Sequence, residues 1–217
     1  MYVFYRNIFL PTYVTIYIMI CGVDEAGRGP VIGPLVVAGV NFNDDSKLIE
    51  FKVKDSKKLT PKRREILTVK IKQTCISYEI LVIPAKDIDD MRKVMTLNEI
   101  EVNAFSKIIK KLKPDICYID SVDVNEKRFA DDIYPVVSAA SIIAKTKRDE
   151  EIRNIAMELE KKINLPMGSG YPADPITQKF LRNWLDRYKS LPPYVRRSWK
   201  TTRNILKEKS IKKIDDF

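Results

Sequence analysis

A mixed α/β fold with a helical C-terminal third is what this sequence predicts, on three observations. Apolar runs of strand length, rich in β-branched and aromatic residues, alternate with stretches of helical periodicity. All seven glycines fall in two places, five within 22–39 and two within 168–170. That is roughly half the usual glycine share of about 7%, so this chain uses glycine where the backbone needs an unusual conformation or a close approach. Finally, the last third carries helix signals and no further strand run.

The elements follow in order. Residues 1–20 hold one charge, Arg6, and run apolar into Cys21. Such a stretch raises a signal peptide or membrane anchor, and a membrane-anchored protein led by residues 1–20 is one reading; against it, the stretch has no basic start and no small-residue cleavage site, and Pro11 interrupts it. Residues 1–18 are instead an apolar N-terminal extension or the product of an upstream start, with Met19 as an alternative beginning. Tyr13 to Val23 suits a buried strand, about 15–23. The glycine-rich turn Glu25–Pro30 follows, then a second strand, Val31–Val40. Pro61 opens a helix, since proline suits the first helical turn. Ile76–Ile83 is a strand, Asn98 caps an amphipathic helix, and Pro114 breaks it before the short strand Asp115–Asp120. A long helix begins at Ser138 or Ser141 and runs to about Ile163. Pro175 starts another, to Lys189, and a basic helix from Val195 closes the chain. The expected division is 1–18, an α/β domain at 19–165 and a helical part at 166–217.

Composition narrows the chemistry. With 45% hydrophobic and 31% charged residues, the 217-residue chain is globular rather than disordered or collagen-like. There are no histidines, which excludes Ser-His and Cys-His triads and His-ligated zinc. Cys21, Cys75 and Cys117 form no CxxC and suit a reducing cytoplasm better than a disulfide framework. The net charge of +10 favours a polyanionic partner, against the plainer reading of a solvated lysine-rich surface.

Carboxylates that end apolar runs are the first candidates. Asp24 and Glu25 follow one run and Asp120 ends another, at the sheet rim where open α/β folds bind ligands. Converging acids with no histidine nearby repel one another unless a hard divalent cation, Mg²⁺ or Mn²⁺, holds them. Each acid alone could equally end its strand in solvent or pair with a lysine. Neighbouring strand residues point to opposite faces, so for Asp24 and Glu25 to share a site the chain must bend at Glu25–Ala26–Gly27. Ser141, Lys145 and Asp149 lie along one helical stripe, either as part of a site or as a plain surface Lys-Asp pair.

Together these segments resemble the ribonuclease HII family. The resemblance rests on Gly22-Val23-Asp24-Glu25-Ala26-Gly27-Arg28-Gly29-Pro30 with Val31–Val36, then Asp55-Ser56-Lys57-Lys58-Leu59 and Ile119-Asp120-Ser121. It continues through Ala139-Ala140-Ser141-Ile142-Ile143-Ala144-Lys145 with Arg148-Asp149, and Gly168-Ser169-Gly170-Tyr171-Pro172. The motifs come in the family's order over about 20–200, and Arg197-Ser198-Trp199-Lys200-Thr201 is closer to archaeal than bacterial members. The resemblance implies an RNase H-like fold, a mixed five-stranded sheet flanked by helices with a C-terminal helical subdomain that contacts substrate. It implies an endonuclease that cuts the RNA strand of RNA–DNA hybrids, and single ribonucleotides embedded in duplex DNA, leaving 3′-hydroxyl and 5′-phosphate ends. Asp24, Glu25, Asp120 and Asp149 would be the catalytic and metal-binding residues, holding two Mn²⁺ or Mg²⁺ ions. Gly27, Arg28 and Gly29 would read the ribose 2′-hydroxyl mainly through backbone groups, and Tyr171 would stack on the deoxyribose beyond the ribonucleotide. Lys57, Ser141 and Lys145 would contact phosphate or support those that do. No small-molecule cofactor beyond the metal is expected, nor a membrane; the expected state is a cytoplasmic monomer. The competing function is a non-catalytic basic nucleic-acid-binding protein.

Overall fold

The apolar run into Cys21-Gly22-Val23 forms the first strand, and it continues further than expected, through both acidic residues. The computed structural model describes residues 18–53, 59–120 and 134–215, with 209–215 described by their backbone alone. Residues 1–17, the region of the expected extension, lie outside the described residues, as do Asp55–Lys58. The elements are β1 (Ile20–Ala26), β2 (Leu35–Phe42), α1 (Ser46–Glu50), α2 (Pro61–Thr74), β3 (Ser77–Ile83) and α3 (Ala85–Met91). There follow α4 (Leu97–Leu112), β4 (Ile116–Ile119), α5 (Pro135–Ile163), α6 (Pro175–Tyr188) and α7 (Lys200–Asp215). Among the described residues no helix is long and apolar enough to cross a membrane.

The sheet is mixed, in the order β3-β2-β1-β4. β1 pairs antiparallel with β2 and parallel with β4. Among the described residues it has four strands rather than five; residues 121–133, between β4 and α5, lie outside them. Cys21 faces Cys117 across the parallel pair, both buried as free thiols. The Cys117 side chain and burial push the Cys21 thiol far above its ordinary range.

Two compact units divide the chain, one of Met1–Ala26, Val36–Leu81 and Glu101–Lys147, the other of Gly27–Leu35, Val82–Ile100 and Arg148–Phe217. In the first, helices cover both faces of the sheet. Val23 and Gly39 are register partners and share one face, where Gly39 meets Ile108 and Leu112 of α4. Gly22 points the other way, against α5, and a side-chain carbon there would lie 2.2 Å from the Val136 carbonyl oxygen. Only a residue without Cβ lets that helix approach so closely.

The second unit is built on the distal half of α5, on α6 and on the segments around Val31-Ile32 and Leu191–Ile205. Phe180, Trp184 and Tyr188 pack in series along α6 as tilted ring pairs, with centroids 5.8 and 4.6 Å apart. Phe180 is its largest fully buried apolar side chain; truncation to alanine in such a place costs about 3–5 kcal/mol.

Several boundaries differ from expectation for local reasons. The second strand starts at Leu35 rather than Val31, because Pro30 and Pro34 cannot donate to a ladder and Gly33 sits at φ 101°. Val31 N–H instead donates to Gly170 O (2.8 Å), Gly33 N–H to Tyr194 O (2.9 Å), and Ile32 bridges Val195. α4 starts at Leu97, before Asn98. Glu99 N–H donates to Thr96 Oγ1 (3.2 Å) while Thr96 N–H donates to Glu99 Oε2 (2.6 Å), a reciprocal capping box. α5 begins at Pro135, before both expected starts, Ser138 and Ser141, and the proline ring suits a first turn. α7 begins at Lys200, since residues 194–199 turn so that Arg196 is buried. α1 and α3, of five and seven residues, are too short for periodicity to reveal.

Candidate active site

Register settles where two of the acids stand. The β1–β4 ladder runs through Val23 opposite Ile119, and the Asp120 N–H donates to Val23 O (3.3 Å). The next residues, Asp24 and Asp120, therefore lie abreast on neighbouring parallel strands, which are about 4.8 Å apart in any sheet. Asp24 is 4% exposed and shares the parity of Gly22, the face on which α5 packs. Two carboxylates abreast, one of them buried, are strongly unfavourable when both are ionised, and a hard divalent cation relieves this. Such oxygen donors fit Mg²⁺ or Mn²⁺, which are commonly held by one or two carboxylates together with substrate phosphate. Among the described residues no three acidic or cysteine side chains already form a metal-binding group.

Glu25 remains in the ladder opposite Val37, and its N–H donates to Asp24 Oδ1 (2.7 Å). Of the bend expected at Glu25–Ala26–Gly27, Glu25 and Ala26 stay in the strand and only Gly27 leaves it, with φ 88°. The ladder hydrogen bonds to β2 hold the extended form as far as Ala26, so Glu25 keeps the opposite parity to Asp24. On α5, Ser141 is fully buried and accepts a hydrogen bond from Lys145 Nζ (2.8 Å). Asp149 lies one turn beyond Lys145 on the same helix, in the second unit, where it meets Arg148 at 3.3 Å. Lys57 lies outside the described residues.

The second unit gathers the other predicted residues. Gly29 adjoins Tyr171: a side-chain carbon on Gly29 would sit 3.5 Å from Tyr171 Cε1. The Arg148 guanidinium lies 5.2 Å from the centre of the Tyr171 ring, and Arg148 also donates to Ser169 O (3.3 Å). Tyr171 is 42% exposed. Asp174 organises the loop before it. Its carboxylate accepts from Ser169 N–H (2.6 Å) and Ser169 Oγ (2.7 Å), and as N-cap of α6 from Ile176 N–H (2.9 Å). These donors, the Ser169 backbone N–H foremost, push the Asp174 carboxyl down to about 2. Arg28 Nη2 donates to Asn98 Oδ1 (2.5 Å). Arg28, Arg92, Lys200 and Arg203, with Trp199 and Leu97, line a cavity of about 390 Å³ whose charge suits an anion.

Asn98, Asp174, Arg196 and Trp199 belong to this neighbourhood and were not among the expected site residues. For Asn98 a signal existed: the Thr96-x-x-Glu99 pattern is a capping box and releases Asn98 from the cap. For Arg196 none did, because which of Arg196 and Arg197 turns inward depends on contacts far away in sequence.

A family model described as ribonuclease HII matches residues 21–129 and 125–202. The ribonuclease HII of Methanosarcina barkeri is 45% identical over 219 residues, covering 88% of this chain and 96% of that protein. That of Thermococcus kodakarensis is 45% identical over 221 residues, covering 91% and 94%. Among solved structures, the ribonuclease H2 from Pyrococcus horikoshii OT3 is similar at a TM-score of 0.78 and 36% identity, covering 88% of this chain and 98% of that one. The PCNA:RNase HII complex from Archaeoglobus fulgidus contains a chain similar at 0.76 and 40%, covering 86% and 96%.

Proposed function

The chain belongs to the ribonuclease HII family, a divalent-metal-dependent group, and on that premise we propose how it cuts the RNA strand of RNA–DNA hybrids. Asp24, Asp120 and Asp149 would hold two divalent cations, Mn²⁺ or Mg²⁺, at the scissile phosphate, and Glu25, which the ladder sets at the opposite parity to Asp24, would join them on bending of the strand end at Gly27. Bound there, the cations supply Lewis acidity toward water and toward the leaving 3′ oxygen, so that the ends are 3′-hydroxyl and 5′-phosphate. The side-by-side Asp24 and Asp120 carry this reading, since two adjacent acids, one of them buried, without histidine are matched by a hard cation.

The remaining residues bind and orient. Lys145, through its hydrogen bond to Ser141, supports the phosphate side of the site, and Lys57 adds a phosphate contact. Gly27, Arg28 and Gly29 approach the ribose, where only glycine flanks allow backbone contact with a 2′-hydroxyl. Tyr171 stacks on the sugar beyond the ribonucleotide, which extends the activity to single ribonucleotides embedded in duplex DNA. The helical part at 166–217 lies along the duplex, and the cationic cavity at Arg28, Arg92, Lys200 and Arg203 suits a backbone phosphate. The enzyme works as a cytoplasmic monomer with no small-molecule cofactor besides the metal.

The test is a DNA duplex carrying one ribonucleotide, incubated with Mn²⁺ and mapped for the position of the cut. Wild-type protein cuts beside the ribonucleotide, EDTA stops the reaction, and Asp24→Asn slows it by about a thousandfold. Cutting that survives EDTA or Asp24→Asn rules out the mechanism.

A further inference from the structure

Arg196 is a charged residue with no exposed surface, and its side chain spends its donors on the backbone of one short stretch. Nη2 donates to Gly27 O (2.6 Å), Nη1 to Arg28 O (2.9 Å) and Nε to Gly33 O (2.9 Å). The guanidinium stacks on Trp199, 4.8 Å from the ring centre, and Trp199 Nε1 donates to Gly29 O (3.1 Å). Arg196 is itself tied at both backbone ends, its N–H to Val31 O (2.8 Å) and its carbonyl to Thr202 Oγ1 (2.9 Å). Three successive carbonyls, of Gly27, Arg28 and Gly29, are thus drawn to one side by two side chains.

The peptide bonds here are trans, and in a trans peptide the C=O and the following N–H point in opposite directions. Holding the carbonyls of Gly27 and Arg28 against the guanidinium turns the N–H groups of Arg28 and Gly29 away from it. The third peptide offers no donor, because residue 30 is proline. The N–H groups of Arg28 and Gly29 are thereby fixed in direction, on the side away from the planar fork.

We infer that Arg196 is a positioning residue: by holding the carbonyls of Gly27, Arg28 and Gly33, with Trp199 holding that of Gly29, it aims the Arg28 and Gly29 N–H pair at the ribose hydroxyl that separates ribonucleotide from deoxyribonucleotide. The inference rests on the ribonuclease reading above and adds to it the residue that sets the recognition geometry. Lysine cannot replace the fork, because one ammonium reaches one carbonyl at a time and leaves the others buried without a charged donor.

The test compares cleavage of a DNA duplex holding one ribonucleotide with affinity for the all-DNA duplex of the same sequence, which presents no 2′-hydroxyl. For Arg196→Lys, kcat on the ribonucleotide substrate falls by about tenfold to a hundredfold, while all-DNA affinity stays within about twofold. Arg196→Met is slower still, so that the order Arg, Lys, Met follows the number of carbonyls held. Trp199→Phe keeps the packing, loses one hydrogen bond to Gly29 O, and slows cleavage by about threefold to tenfold. Circular-dichroism melting accompanies each variant, and if neither Arg196 variant folds, Trp199→Phe decides. A folded Arg196→Lys that cuts at the wild-type rate overturns the inference, as does cleavage and all-DNA affinity falling in parallel. So does an unchanged rate for Trp199→Phe. Wild-type protein that cuts neither this duplex nor an RNA–DNA hybrid overturns instead the ribonuclease reading beneath it.

Discussion

Asp24 and Gly27 are three residues apart, yet the chain positions them by unrelated means. Asp24 sits in a regular ladder, and its neighbour Asp120 is brought abreast by parallel pairing that continues from Val23 and Ile119. The Gly27–Gly29 turn lies outside any ladder. Arg196, 169 positions from Gly27 and 168 from Arg28, holds it through side-chain hydrogen bonds. Strand pairing places a carboxylate by repetition, since each residue of the ladder constrains the next. A turn that contacts a sugar through its backbone cannot be in a ladder, because its amide groups are needed elsewhere, and it must be braced from outside. On the proposed function, chemistry on phosphate and contact with sugar place opposite demands on adjacent stretches of one chain.

That contrast makes distinct demands on variants. The largest effect belongs to the ladder-held acids. Asp120→Asn lowers cleavage by about a thousandfold, yet leaves the melting temperature in metal-free buffer unchanged or raised, because one of two repelling charges is gone. A large drop in melting temperature would mean that Asp120 serves the sheet rather than the chemistry. Next is Tyr171→Ala in the braced region, which slows cleavage at an embedded ribonucleotide by about tenfold and weakens duplex binding much less. Equal losses of rate and affinity, measured by single-turnover kinetics and by anisotropy, would contradict a stacking role. The smallest effect concerns the loop below Tyr171. Asp174→Asn costs about 1 kcal/mol as a weakened cap, a melting-temperature drop of about 2–4 °C.

The Asp174 carboxyl also imposes a pH dependence whose sign follows from its folded value. It lies at about 2 against an ordinary 3.8, so its stabilisation is complete above 3.8 and is lost as the pH falls through 2. Acid titration should therefore lower the stability of wild-type protein between those values more than that of Asp174→Asn. Identical acid transitions in the two proteins would remove Asp174 from the brace.

How much could be read without coordinates depends on the range over which each feature is encoded. Strands β1, β3 and β4 and helices α2, α5 and α6 follow from periodicity and proline placement, which act over a few residues. The boundary of β2 was misplaced because an apolar run, Val31–Val36, reads as strand even where two prolines and Gly33 divert it to pair with Gly170 and Tyr194. Asn98 reads as the cap of α4 by residue type, while Thr96 and Glu99, three residues apart, encode the box that forms.

From residue types and their spacing alone came the α/β class, the histidine-free chemistry, the family and the candidacy of Asp24 and Asp120, because each is encoded by chemistry within a short window. The parity of Glu25, the pairing that sets Asp24 beside Asp120, and the burial of Arg196 rather than Arg197 came only with the folded chain. Those depend on which distant segment supplies a hydrogen-bond partner, and a partner 169 residues away leaves no mark on the local pattern.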